Sequence, residues 1–171
     1  MQIAKSFGAE VTGVCGTKNV DIVQSLGADR VIGADRAIDY TPEDFIKSGQ
    51  RYDLILDNVG NHSLSALRGV LNPKGICVIA GAPKNPSGFV LTHMVAAPVL
   101  SCFVSQRFLT FIAKMNKEDL TIIRELMATG KVKPVIDKHY RLSEAAEALG
   151  YLEKGHARGK VIIDLGSSNK A

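Results

Sequence analysis

Cysteine is scarce in this 171-residue chain. Cys15, Cys77 and Cys102 are too few and too irregularly spaced to form a disulfide framework. None belongs to a CxxC pair, and His62, His93, His139 and His156 show no ligand spacing, so no metal site is expected. Cys15 and Cys77 each sit in an apolar run, where a free thiol behaves as a small hydrophobe. Long apolar runs are missing as well. No stretch reaches the roughly 18 residues of a membrane span, and the N-terminus lacks a charged-then-apolar signal segment. A cytoplasmic protein with no membrane partner is therefore expected. There is also no run of one charge. Lys and Arg number 21 against 17 Asp and Glu, a net +4, and they are scattered rather than gathered into a nucleic-acid arm. Such mild basicity suits a solvated surface, or an anionic small ligand such as a nucleotide.

With 46% hydrophobic and 22% charged residues, the chain has the composition of a folded globular protein with a core of its own. Short apolar runs alternate with helical patterns. Gln2 to Phe7 reads as the end of a helix stopped by Gly8. Strands are expected at Glu10 to Cys15, Arg30 to Ile32, Tyr52 to Asp57, Gly75 to Ala80, Phe108 to Ala113, Val135 to Tyr140 and Val161 to Leu165. Helices are expected at Asp21 to Leu26, Ser63 to Leu71, Met94 to Leu100 and Lys117 to Thr129 (N-capped by Asn116), with a last helix capped by Ser143 and running to Glu153. Asn72-Pro73-Lys74-Gly75 reads as a turn. Strands that alternate with helices, and are apolar throughout, predict a parallel sheet covered on both faces.

One segment is repeated. Gly27-Ala28-Asp29-Arg30-Val31-Ile32 is followed at once by Gly33-Ala34-Asp35-Arg36-Ala37-Ile38. A single copy does not make a solenoid, which needs several units. Only one of the two can fill the strand position, and the other must loop out or extend an edge.

The stretches QIAKSFGAEVTGVCGT, LGADRVI, IDYTPEDF, YDLILDNVGN, LNPKG, GKVKPVIDKHYRLSEAAEAL and GHARGKVIID resemble, in order, the medium-chain dehydrogenase/reductase superfamily. Their branch resembles the zinc-type alcohol dehydrogenase-like and quinone oxidoreductase-like proteins. The resemblance implies the C-terminal, nucleotide-binding half of such an enzyme, without its N-terminal substrate domain. It implies an α/β fold: a Rossmann-like, doubly wound, mostly parallel sheet missing its usual first strand. Expected divisions are an incomplete dinucleotide-binding domain over 1–133, a strand-helix-strand over 134–166 and a tail over 167–171. The chain has no GxGxxG between a strand and a helix, the turn whose backbone approaches the pyrophosphate. Binding of the cofactor is therefore expected to be weak or lost.

The resemblance implies the remaining cofactor contacts position by position. Thr17, Lys18 and Asn19 stand at the turn that meets the adenosine ribose, where NAD-selective proteins place an acidic residue. Hydroxyl and ammonium donors suit a 2′-phosphate instead, which favours NADP(H). Tyr40 matches a tyrosine beside that phosphate. Asn58, Val59, Gly60 and Gly81 end the strands that meet the ribose-nicotinamide half. Phe111 and Ile112 belong to the strand facing the carboxamide, and Arg158 could reach a phosphate or ribose. Asp53 and Asp57, on one side of a strand, resemble positions of structural use and receive no acid-base role.

No catalytic residue is nominated, because hydride passes directly between nicotinamide and substrate in this family. The implied activity is hydride transfer to or from a carbonyl, alcohol or enone, with the isolated chain expected to be inactive. The alternatives are a nucleotide-binding or oligomerising module without catalysis, and an inactive remnant. Loss of a central strand would leave unpaired backbone groups. The terminal strand Val161 to Leu165, which has lost its family partners, is therefore expected to fill the slot or to build a homodimer by strand exchange.

Overall fold

The computed structural model describes residues 1–25, 34–81, 89–110, 114, 116–155 and 157–166, with the backbone alone for 89–94. Two units emerge, one made of residues 1–39 with 118–171, the other of residues 40–117. Every described strand pairing is parallel, and among the described residues the strands fall into three sheets. The chain is therefore an α/β protein with mostly parallel sheets, as the alternating pattern predicts.

The first unit opens with α1 (Gln2–Ser6) and β1 (Thr12–Cys15), then a 3₁₀ turn and α2 (Val20–Ser25). Its second strand, β2 (Arg36–Asp39), pairs with β1 from Thr12↔Arg36 to Cys15↔Asp39. The second copy of the repeat thus supplies the strand. The expected strand over Arg30 to Ile32 lies outside the described residues. Position is fixed by contacts that the second copy makes. Asp35 receives Lys5 Nζ at 2.7 and 2.9 Å and the Val11 backbone N–H at 2.6 Å, while Ile38 is fully buried. Lys5 and the Val11 N–H hold the Asp35 carboxyl below its ordinary pKa, the Lys5 hydrogen bond contributing most.

This unit continues with α5 (Lys117–Ala128), β6 (Ile136–Arg141), α6 (Ala145–Glu153) and β7 (Lys160–Asp164). The helical turn before α6 starts at Leu142, where Glu144 Oε2 accepts the Arg141 N–H at 2.8 Å. Ser143 therefore lies inside the turn rather than capping it. The terminal strand also departs from expectation. It pairs in parallel with β6, Tyr140 facing Ile163 and Arg141 facing Asp164. Having a partner inside its own strand-helix-strand, β7 does not fill another sheet of the chain. Gln2 joins this region to α1 through its amide, which donates to the Lys133 carbonyl at 2.9 Å and accepts the Lys133 N–H at 2.6 Å.

In the second unit, β3 (Tyr52–Asp57), β4 (Leu71–Ile79) and β5 (Arg107–Thr110) lie in that order. Helix α3 (Leu64–Gly69) is capped by Ser63 Oγ, which accepts the Ala66 N–H at 3.2 Å, and α4 spans Phe89–Phe103. Asn72 to Gly75 does not end one element and begin another. It bulges within β4, since Tyr52 faces Leu71 and Leu54 then faces Ile76. Lys74 takes a positive φ of 65° there, and Asn72 Nδ2 ties the bulge to Asp53 at 2.8 Å. Leu67, Leu71, Cys77, Ile79, Ala97 and Phe108 form the core. Coverage is one-sided on β3: Ile55 packs on that core, whereas Leu54 and Leu56 are 59% and 56% exposed. Two-face coverage, expected from the apolar run, is thus not complete at this strand.

The Lys5–Asp35 contact predicts a pH dependence. A carboxyl with a depressed folded-state pKa contributes stability above its unfolded value of about 3.9, and that contribution fades as pH falls through the folded value. Urea unfolding of wild type and Asp35→Asn should differ near neutrality and converge below about pH 3.9. Equal midpoints at pH 7 would show that Asp35 does not anchor β2.

Candidate functional site: two loops at strand carboxyl ends

The nominated residues form two groups, one in each unit. In the second unit, Asp57 ends β3 and organises the adjoining loop. Its Oδ1 accepts the backbone N–H of Val59 at 3.0 Å and of Gly60 at 2.8 Å. Its own carbonyl accepts the N–H groups of Ala80 and Gly81 at 2.8 and 3.1 Å. One residue therefore joins the carboxyl end of β3 to that of β4. Gly60 turns the chain at φ +69°, and Gly81 lets the two ends meet. A Cβ on Gly81 would lie 1.8 Å from the Asn58 oxygen and 2.1 Å from its carbonyl carbon. Asn58, Val59, Gly60 and Gly81 are thus brought together, as the sequence suggested. Their organiser, Asp57, carries the structural role assigned to it. The signal for its partners was the Asp-Asn-Val-Gly order, in which a carboxylate can accept N–H groups two and three residues on.

Cys77 lies beneath this edge, fully buried. Burial, then the negative charge of Asp57, pushes its thiol up to about 12, which removes it as a nucleophile. Cys15 is likewise raised, first by burial and then by Asp39, its partner across β1 and β2.

In the first unit, Thr17, Lys18 and Asn19 form one 3₁₀ turn after β1, closed by the Asn19 N–H on the Gly16 carbonyl at 2.8 Å. Arg158, remote in sequence, arrives at this turn and its guanidinium donates to the Lys18 carbonyl. The arginine is held from behind. Asp137 Oδ2 accepts the Arg158 backbone N–H at 2.9 Å and the Tyr151 hydroxyl at 2.8 Å. These two donors, the Arg158 N–H foremost, keep the Asp137 carboxyl below its usual range, and the same hydrogen bond raises Tyr151. Lys138 Nζ sits 4.0 Å from the centre of the Tyr151 ring, a cation–π contact that fixes the ring further. The sequence nominated Arg158 but not its brace of Asp137 and Tyr151. Neighbours in the fold but distant in sequence, these carried no local motif.

Asn19 adds a further feature. Its Oδ1 is buried and has no hydrogen-bond partner among the described residues. A buried acceptor without a donor costs free energy, so a ligand hydroxyl there would relieve it. Together with the exposed Lys18 and Arg158, the turn offers two cations and one acceptor, the donor set for a phosphorylated ribose. Tyr40 belongs to the second unit and is 65% exposed. Phe111 and Ile112 lie outside the described residues. No group of three or more metal-ligating side chains occurs among the described residues, and no helix there is long and apolar enough to cross a membrane.

Comparison with known proteins gives this geometry its context. The zinc-binding dehydrogenase family matches residues 32–163, most of the chain. The protein belongs to that family, within the medium-chain dehydrogenase/reductase superfamily. A chloroplastic quinone-oxidoreductase of Triphysaria versicolor is 35% identical over 169 residues, covering 96% of this chain and 47% of the relative. A mitochondrial NAD(P)H oxidoreductase of Mus musculus is 32% identical over 182 residues, covering 96% and 44%. Among solved structures, the quinone oxidoreductase of Coxiella burnetii superposes with a TM-score of 0.71 at 26% identity, covering 96% of this chain and 48% of that one. The chain spans about half the length of the curated relatives it matches.

Gly81 provides the sharpest test of the second-unit loop. Gly81→Ala must displace the Asn58 backbone and should cost on the order of 3 kcal/mol in chemical denaturation. Gly150→Ala, inside α6 with open space around its Cβ position, should instead be neutral or stabilise by up to about 1 kcal/mol. Equal effects of the two would refute the close approach.

Proposed function

We propose that this chain is the nicotinamide-dinucleotide-binding portion of an oxidoreductase and prefers NADP(H). The carrying observation is the turn after β1, where the Arg158 guanidinium donates to the Lys18 carbonyl next to Asn19, whose buried Oδ1 has no partner among the described residues. No carboxylate stands at Thr17, Lys18 or Asn19 to take the ribose hydroxyls of NAD, and two cations suit a 2′-phosphate. Lys18 and Arg158 would hold that phosphate, Thr17 would donate its hydroxyl, and Asn19 would accept from the ribose. In the other unit, the Asn58-Val59-Gly60 loop and Gly81 would seat the ribose-nicotinamide end, with Phe111 and Ile112 on the carboxamide.

When bound, the dinucleotide supplies or accepts the hydride exchanged with a carbonyl, alcohol or enone carbon. Lys18, Arg158 and the Asn58–Gly60 loop bind and orient it. None of them moves a proton, and the substrate-polarising groups lie elsewhere. Without a GxGxxG turn to receive the pyrophosphate, affinity is modest. The isolated chain should bind without turning over.

The open edge of β3, a strand paired only with β4 among the described residues, supports one addition to this reading. It is a homodimer in which strands of two copies complete a sheet, marked in light scattering by twice the 18.4 kDa chain mass. A monomer at all concentrations would remove it.

Calorimetric titration tests the cofactor reading. NADPH should bind saturably in the micromolar range and more tightly than NADH. Lys18→Ala and Arg158→Ala should each weaken NADPH by about tenfold, the worth of one charge-assisted hydrogen bond, and leave NADH nearly unchanged. No NADPH binding up to millimolar concentration would overturn the reading and mark an inactive remnant.

A further inference from the structure

At the amino-terminal end of the second unit's sheet, away from the Asn58–Gly60 loop, lies an open cavity of about 310 Å³. Arg51, Ser65, Arg68, Gly69 and Gln106 line it. Their placement is a consequence of the fold. Arg51 immediately precedes β3 and Gln106 immediately precedes β5. Because the strands are parallel, both residues stand at the same sheet edge. Ser65 and Arg68, three apart on α3, present neighbouring side chains to the cavity.

The polar groups of this cavity are incompletely used. Arg51 gives one guanidinium N–H to the Leu71 carbonyl at 2.8 Å, leaving further donors of its fork. Neither Arg51 nor Arg68 forms an ion pair with a carboxylate among the described residues. The Ser65 hydroxyl shares one hydrogen bond with Ser63 Oγ at 3.0 Å. Gln106 is only 8% exposed, and its buried Oε1 has no partner among the described residues. Two guanidinium groups without a carboxylate partner among the described residues, a hydroxyl-bearing serine and a glutamine whose buried Oε1 lacks a partner among them therefore line one space. Among the described residues nothing offers Gln106 Oε1 a donor, and a leucine there would avoid the cost of an unmade hydrogen bond.

We propose that this cavity is a second anion site, distinct from the dinucleotide loops, that takes a small phosphorylated ligand. Arg51 and Arg68 grip the phosphate oxygens by charge-assisted hydrogen bonds, for which a planar guanidinium is well matched. Ser65 adds a hydroxyl donor. The Gln106 amide, turning about its terminal torsion, offers either its carbonyl to a P–OH or ligand hydroxyl, or its NH₂ to a phosphate oxygen. Within the second unit the site lies at the opposite strand ends from Asn58–Gly60 and Gly81, and it shares no residue with the proposed cofactor contacts, so it does not depend on that reading.

Inorganic phosphate is the probe, titrated into the full chain by calorimetry with circular dichroism as the folding check. Wild type should bind phosphate saturably, and Arg68→Ala, on an exposed helix position, should weaken it by at least about tenfold. Gln106→Leu gives a second, independent signature. It should raise the unfolding midpoint, because a buried unpartnered acceptor is removed, while weakening phosphate several-fold. Lys18→Ala should leave phosphate binding unchanged. Absence of saturable binding in wild type would overturn the proposal, as would wild-type affinity in both Arg68→Ala and Gln106→Leu. Loss of phosphate in Lys18→Ala with retention in Arg68→Ala would place the anion at the cofactor loop and likewise overturn it.

Discussion

Asp57 accepts two backbone N–H groups on its side chain and two on its carbonyl, and the carboxyl edge of the second unit is built around it. Four donors at the end of one strand fix the Asn58–Gly60 loop against Gly81. Strand ends leave backbone groups that must find partners. In this chain short aspartates repeatedly supply them. Asp35 takes the Val11 N–H and Lys5, Asp137 takes the Arg158 N–H and Tyr151, and Asp44 caps the turn at Phe45 by accepting the Ile46 N–H. The same device that ends a strand also positions a neighbouring residue. In two instances that residue is one nominated for the dinucleotide.

Such loops favour a preformed site on physical grounds even where the phosphate-receiving turn is not part of the chain. A loop already ordered by its own hydrogen bonds spends little further entropy on a ligand. The Lys18–Arg158 meeting shares this pattern, with Asp137 and the Tyr151 ring holding the arginine from the side away from the turn. Neutralising Asp137 would loosen Arg158 without removing any proposed ligand contact. The cost of the arrangement is visible in the buried acceptor of Asn19, which finds no donor among the described residues.

Much of the fold was legible in the residues. Tyr52 to Asp57 is apolar enough to be read as a strand, and Gly81 after Ile76 to Ala80 marks a strand end. Choices made by distant partners could not be read. The two copies of the repeat both carry an Asp-Arg pair before apolar residues. Lys5, the Val11 N–H and the Val11 carbonyl hold Asp35 and Arg36 where β2 begins, contacts that no spacing in the sequence records. Asn72 to Gly75 carries turn residues that look alike whether a turn joins elements or bulges a ladder. The facing of Leu71 with Tyr52 settles it. β7 looked partnerless because its expected partner was sought outside the chain, while β6 lay one helix away. In the site, the residues at strand ends were legible and the braces behind them were not. Asp137 and Tyr151 act through contacts that no spacing records.

We propose the turn at Thr17 to Asn19 with Arg158, and the loop at Asn58 to Gly60 with Gly81, as the two dinucleotide contacts of this protein. Amide chemical-shift mapping on the isotope-labelled chain tests it most directly, using 2′,5′-ADP and nicotinamide mononucleotide as separate halves. The adenosine fragment should shift Lys18, Asn19 and Arg158 and leave Gly60 and Gly81 still, and the nicotinamide fragment should do the reverse. Shifts from both fragments confined to residues outside these two loops would contradict it.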